Sequence, residues 1–303
     1  MITLLATWTF GVTLALVALG VFVSYRLFSF PDITTDGSYT LGAVTTTVLL
    51  VTGHDPAIAT LGGAAAGAAA GACTGLLHAI LHIEPLLAGI LVTTALSSVN
   101  LVVLGRSNVP LAGTATLLDR AEALLLPAMA AAGFGDAAGE AARLIVMLCG
   151  VGIAVILLWA FFRTNLGTAM RAGGDTATMA RALGRNTGLL TVGGLAIANA
   201  LTALSGALVA QVQGFADVQM GIGMVVWGMA SVFLGAALVG PVRLGGALVA
   251  TVAGSITFRL IVASALRAGL HPDWLKAATA LVVLAALIAP QLLSRRPQAS
   301  ATR

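Results

Sequence analysis

Charge is what this sequence has least of. Only 9% of its 303 residues are Asp, Glu, Lys or Arg, while 59% are apolar. A water-facing domain needs roughly 25% charged residues to dress its surface, so a soluble enzyme is excluded. A disordered chain is excluded too, because disorder requires a polar composition. Lysine is represented by Lys276 alone, and no GxxxxGK[ST] phosphate loop is present. ATP chemistry, where it is used, therefore belongs to another chain. Cys73 and Cys149 both lie inside apolar runs, where they read as buried small hydrophobes rather than a disulfide or metal pair. His54, His78, His82 and His271 fall singly near run ends. Without a Ser/His/Asp set or ligand spacing, the chain is not read as an enzyme and carries no metal site.

Long apolar runs are what the sequence has instead. About 20 apolar residues suffice for one membrane-spanning helix, and the runs near Thr3–Phe28, Ser38–Thr52, Pro56–Leu81, Pro85–Leu104, Ala141–Phe162, Leu189–Val212, Ile222–Gly240, Leu244–Leu266 and Leu275–Leu293 give about nine. The expected fold is all-α, a polytopic membrane protein forming one domain over residues 1–303. Arg163, Arg171, Arg181 and Arg185 crowd one short loop, 163–188, which the positive-inside rule places in the cytoplasm. Alternation then puts Arg26, Arg243, Arg295, Arg296 and Arg303 on the same side, against Arg106, Arg120, Arg143, Arg267 and Lys276 outside. The N-terminus faces out, and the tail 294–303 faces in. The net charge of +4 is thus a topology signal rather than a nucleic-acid one. With no basic residue before Arg26, a signal-peptide n-region is missing and the first helix is expected to stay in the mature protein.

The longest outer loop, 105–140, carries the amphipathic LLDRAEALLLPAM (Leu117–Met129), the pattern of an interfacial helix. In the third run, Gly63, Gly67, Gly71 and Gly75 recur every four residues. Such glycines share a helix face and admit another backbone closely, either within the bundle or across a dimer.

Two stretches interrupt the runs. FPDITTDGSYTLGA (Phe30–Ala43) and FADVQMGIG (Phe215–Gly223) superpose without gaps, Phe30 on Phe215, Asp32 on Asp217 and Ile33 on Val218. One lies early in each half, as in transporters built from repeats whose broken helices meet at the substrate path. Asp32, Asp36, Gly37, Ser38, Asp217, Gln219 and Gly221 are the candidate lining, since carboxylates at membrane depth mark pathways. The alternative is that Asp32 and Asp36 cap the helix beginning near Ser38. Arg259 stands well inside a run; it is a candidate partner for a substrate carboxylate or for Asp217, or it snorkels to the interface.

In the basic loop, DTATMARAL (Asp175–Leu183) opens with an acidic N-cap and Gly184 supplies a stop. A short cytoplasmic helix of this kind fits a groove on a soluble partner; its other reading is a topology anchor.

FPDITTDGSYTLGA, LLAGILVTTALSSVNLVVLGRSNVPL (Leu86–Leu111), NLGTAMRAGGDTATMARALGRNT and ALSGALVAQVQGFADVQMGIGMVVWGMASVFLG follow one another in this order. On these segments the chain resembles the permeases of the branched-chain amino acid/ribose class of ABC importers, and more narrowly the tryptophan/tyrosine-type subgroup. Ala180 and Gly184 keep the AxxxG spacing of importer coupling loops; the longer EAA consensus of the other importer class is not matched. The resemblance implies a type II-like permease bundle with two discontinuous segments, Asp32–Gly42 and Asp217–Gly223, around the path. Ser97, Asn100 and Asn108 would be further lining candidates. Gly174, Asp175, Met179, Ala180, Arg181 and Gly184 would form the coupling helix on an ATP-binding subunit, which holds ATP and Mg. It also implies a periplasmic or extracellular substrate-binding protein at the outer loop, a second permease copy in a homodimer, surrounding membrane lipid, and residence in the bacterial inner membrane. The solute would be small and polar, an amino acid by family. The rival is a proton- or sodium-coupled secondary transporter using Asp36 and Asp217. A membrane enzyme on lipid-linked substrates would need convergent acids with a metal or nucleophile, and the sequence offers scattered singles.

Overall fold

The apolar runs close into helices in a computed structural model that describes residues 2–175, 186–240 and 242–269, with isolated positions 274, 277, 279–281 and 284. Helix α1 (Ile2–Val21) continues through a π-helical turn, Phe22–Leu27. There follow α2 (Thr34–Val51), α3 (Pro56–Leu81), α4 (Pro85–Leu104), strand β1 (Asn108–Pro110), α5 (Leu117–Ala131), α6 (Ala138–Arg163) and α7 (Asn165–Asp175). The second half holds α8 (Thr187–Gln213), β2 (Phe215–Asp217), α9 (Met224–Val239) and α10 (Leu244–Arg267).

Six of the described helical stretches are long and apolar enough to cross a membrane, against the nine expected. The difference has a physical cause in two places. Helix α2 has the length, at 18 residues, but carries Thr34, Thr35, Thr40, Thr45, Thr46 and Thr47 beside Asp36, and 16-residue α9 is short. The run Leu275–Leu293 lies largely outside the described residues, and the tail 294–303 wholly so.

Local chemistry sets the ends. Asp55 caps α3, its carboxylate accepting from the Ala57 amide at 2.9 Å, and Pro56 occupies the first helical position. Asn186 caps α8 by accepting from the Leu189 amide at 3.2 Å, and Gly214, at φ 78°, ends it. The amphipathic segment of the loop 105–140 is a helix as expected. Its capping box pairs Thr116 with Asp119, and Glu122 holds it to α6 by accepting from Arg143 Nε at 2.6 Å. Arg120 bonds Asp55 and keeps that carboxyl below the usual carboxylate range, tying α5 to the start of α3.

Packing is closest around α1, α2, α3 and α8. Residues Thr9 and Gly11–Val21 of α1 are all buried. Along α3 the glycine ladder faces its own chain: a methyl at Gly67 would fall on the Ala203 side chain and the Asn199 carbonyl, and one at Gly71 on the Leu195 carbonyl. Gly63 meets α2 in the same way, at Thr46 and the Gly42 carbonyl. The glycines therefore seat α3 against α2 and α8. Two sequence expectations change. Cys73 and Cys149 are free thiols on exposed faces rather than buried, because an apolar run facing lipid reads the same as one facing protein. The all-α expectation also omits the β1–β2 ribbon, in which Asn108 pairs with Asp217, Val109 with Ala216 and Pro110 with Phe215.

Candidate functional site

The first break sits directly after the π-helical turn. Ser29 takes a left-handed φ of 50°, and the Phe30 amide returns to the Ser24 carbonyl at 3.0 Å. This reverses the chain and brings Asp32 beneath the start of α2, where it is only 4% exposed. Its Oδ1 accepts from the Thr34 amide at 2.9 Å and its Oδ2 from Asn199 Nδ2 at 2.6 Å. Two further helices hold the same turn. Thr74 of α3 shares a 2.7 Å hydroxyl bond with Thr34, Thr93 of α4 donates to the Ile33 carbonyl at 2.9 Å, and Asn100 donates to the Gly37 carbonyl at 3.3 Å. Asp32 thus satisfies the first amide of α2 from one residue before the Ile33 N-cap, while also reaching across to α8. Gly37 packs under Leu96, and Ser38 is fully buried with its hydroxyl unpartnered.

Asp36 does something the sequence did not disclose. Its Oδ2 accepts from the Gly223 amide at 2.9 Å and its Oδ1 from the Val225 amide at 2.8 Å. These are the free amides at the start of α9, where a carboxylate complements the helix dipole. The carboxylate therefore caps a helix almost two hundred residues away rather than its own. Beside it the Gly221 amide donates to Thr40 Oγ1 at 3.1 Å, and the backbone of Gly221 lies so close to the Asp36 carbonyl that a side chain there would collide. The two breaks meet here. Gly228, one turn into α9, packs on Val17 and Val21 of α1, while the junction itself is half-open, with Asp36 and Val225 half-buried and Gly223 exposed.

The remaining candidates are placed elsewhere. Asp217 belongs to the β1–β2 ribbon, accepting from the Gln219 amide at 2.7 Å and from Asn108 Nδ2 at 3.5 Å; the Gln219 side chain is exposed. The gapless superposition of Asp32 on Asp217 therefore matches residues with different surroundings. Arg259 does not pair with Asp217: its guanidinium lies over the Phe10 ring at 5.0 Å, and its Nε has no hydrogen-bond partner. Ser97 is exposed and bonds within its own helix. Gly174 lies at the end of α7, its backbone pressed on the Leu27 carbonyl and Phe28. The side chain of Asp175, and Met179, Ala180, Arg181 and Gly184 with the helix expected over them, lie outside the described residues.

Two hollows flank the first break. One, of about 220 Å³, lies between Ser24, Tyr25, Asp32, Leu86, Val225 and Met229. The other, of about 510 Å³, is bordered by Phe28–Phe30, His78, His82, Gly174 and the start of α8. Among the described residues no three His, Cys, Asp or Glu side chains converge. Sequence reasoning missed Asn199, Thr40, Thr74 and Thr93. Their signal was available in principle, since an amide or hydroxyl in mid-span needs a partner on another helix. Asn199→Ala leaves Asp32 Oδ2 buried without its donor and is expected to lower unfolding stability by about 1–3 kcal/mol. A double-mutant cycle with Asp32→Asn in thermal unfolding should show strong non-additivity.

Comparison with known proteins agrees with this architecture. Residues 3–289 match the family of branched-chain amino acid transport system permease components. The chain is 36% identical over 284 residues to a tyrosine transport system permease protein of Clostridioides difficile (strain R20291), covering 94% of this chain and 90% of that one. It is 32% identical over 219 residues to an uncharacterized protein of Rickettsia prowazekii (strain Madrid E), covering 72% and 71% respectively. No solved structure matches it. The chain belongs to the branched-chain amino acid transport permease family and is the permease component of an ABC-type amino-acid transport system.

Proposed function

We propose that the substrate passes along the seam where the two breaks meet, between Asp32, Asp36, Gly37 and Ser38 on one side and Gly221 with the start of α9 on the other. The observation that carries this reading is the Asp36 carboxylate bound to the amides of Gly223 and Val225. It ties both interrupted segments into one element that opens or closes as a unit. Asp217 and Gln219 stand at the outer mouth with the ribbon. Arg259, with an unpartnered Nε–H, is suited to greet a carboxylate on the way in. The solute is an amino acid, and the name of the clostridial relative favours tyrosine.

The drive comes from the cytoplasmic side. Residues 174–184, with Met179, Ala180, Arg181 and Gly184, dock on an ATP-binding subunit that holds ATP and Mg. The end of α7 rests on Leu27 and Phe28, four residues before Asp32, so a push on the loop is delivered to the break. Only a nucleotide-bearing partner supplies the differential free energy that such a switch needs. An external substrate-binding protein delivers the solute to the outer loop 105–140. Two permease copies pair, with the N-terminus out and the C-terminus in, across a bacterial inner membrane. The secondary-transporter reading is not favoured, because the family is an ABC one.

Proteoliposomes test this. Uptake is expected only when the ATP-binding subunit and ATP are both present. Met179→Glu or Gly184→Glu should leave insertion and ATP hydrolysis intact while lowering uptake at least tenfold. Ion-driven uptake by the purified chain alone would overturn the proposal.

A further inference from the structure

A third hollow, of about 450 Å³, lies where the π-helical turn after α1 meets the end of α9 and the start of α10, away from the seam. Phe22, Val232, Ala236 and Ala247 give it an apolar lining, and Arg26 and Arg243 border it. Both arginines are exposed, and among the described residues neither meets a carboxylate. Arg243 also stands at the N-cap of α10, where no side chain caps the first-turn amides, so the helix adds positive potential at the same place.

We infer that this hollow binds an anionic phospholipid, with an acyl chain along the apolar lining and the phosphate held by Arg26 and Arg243. Two cations over an apolar crevice between membrane helices match an amphiphile with a negative head. A free hydrated phosphate would gain nothing from the lining, and a zwitterionic lipid would leave one of the two guanidinium charges opposed by its own cation. The arginines lie at the end of the bundle that the basic loops place in the cytoplasm, so the ligand comes from the inner leaflet. The inference does not rest on the substrate path.

Native mass spectrometry of the purified full chain in neutral detergent tests it, with dioleoylphosphatidylglycerol and dioleoylphosphatidylcholine as probes. One phosphatidylglycerol is expected to bind at least tenfold more tightly than phosphatidylcholine. The double variant Arg26→Gln/Arg243→Gln should lose that tenfold preference. Ala236→Phe, which fills the hollow and keeps both arginines, should weaken both lipids, and Arg106→Gln on the outer loop should weaken neither. Equal binding of the two lipids by the native chain overturns the inference. So does full phosphatidylglycerol affinity in the double variant or in Ala236→Phe, or retention of inorganic phosphate alone at the same arginines. The lipid comparison on the native chain decides the matter even where a variant fails to fold.

Discussion

Gly67→Leu is expected to dismantle the bundle. The glycine sits where α3 presses on α8, and a Cβ there would strike the Ala203 side chain and the Asn199 carbonyl. Helices in lipid have no hydrophobic drive toward one another, so contact itself is what holds them. Overpacking of about 1–3 kcal/mol is typical where neighbouring side chains can turn aside. Here one obstacle is backbone, so α3 must lift away as a rigid rod. Lifting it also separates Gly71 from Leu195 and Gly63 from Gly42, and it draws Asn199 away from Asp32. The expected loss is at the upper end of that range or beyond, read as a lower unfolding temperature and loss of the monodisperse peak in detergent. Gly150→Leu is the control. Nothing lies within 4 Å of a methyl at Gly150 on α6, and leucine is the better helix former by roughly 0.8 kcal/mol, so that variant should run like the native chain. If Gly67→Leu behaves as Gly150→Leu does, the ladder is not the seam between α3 and α8.

That contrast shows what was legible in the sequence. The starts at Pro56 and Pro85 stand where the runs put them, because proline at the first helical turn is a local signal. The ladder was equally local, and it seats α3 against α2 and α8; the expected break over Asp32–Gly42 shrinks to residues 29–33, because α2 runs unbroken from Thr34 to Val51. The sidedness of each helix was not legible. Lipid and protein neighbours are both apolar, so nothing in the run around Cys149 distinguishes an exposed thiol from a buried one. The same blindness made α2 look like an ordinary span, when its threonines serve bonds such as Thr34 to Thr74 and Thr46 to the Ala59 carbonyl. Partnerships across great separation were hidden altogether. The capping alternative for Asp36 was right in kind and wrong in address, because sequence shows the nearest helix start and not the nearest in space. The position of Asp217 in a ribbon with Asn108 was hidden for the same reason.

Asp36→Ala is expected to reduce uptake at least tenfold while the chain still inserts and still recruits its ATP-binding partner. The substitution removes both acceptors from the Gly223 and Val225 amides. The Gly223 amide is exposed and the Val225 amide half-buried, so each lost hydrogen bond costs about 0.5–1.5 kcal/mol, and the start of α9 also loses the negative charge that complements its dipole. Asp36→Asn keeps one acceptor oxygen and presents an amide to the other N–H, so it should fall between native and Ala in unfolding temperature. Asp217→Asn should sit near native in the same assay, since one of its bonds is local to the turn and the other is a long, exposed contact with Asn108. The pattern also separates the two transport readings. A cap shared by two breaks predicts that ATP hydrolysis persists in Asp36→Ala while coupled uptake fails, because the segments no longer move together. A proton-carrying role predicts instead that Asp36→Asn, unable to ionise, is as inactive as Ala however stable it is. Graded uptake that follows stability through Asp, Asn and Ala assigns Asp36 the mechanical part; uptake that vanishes equally in both variants takes it away.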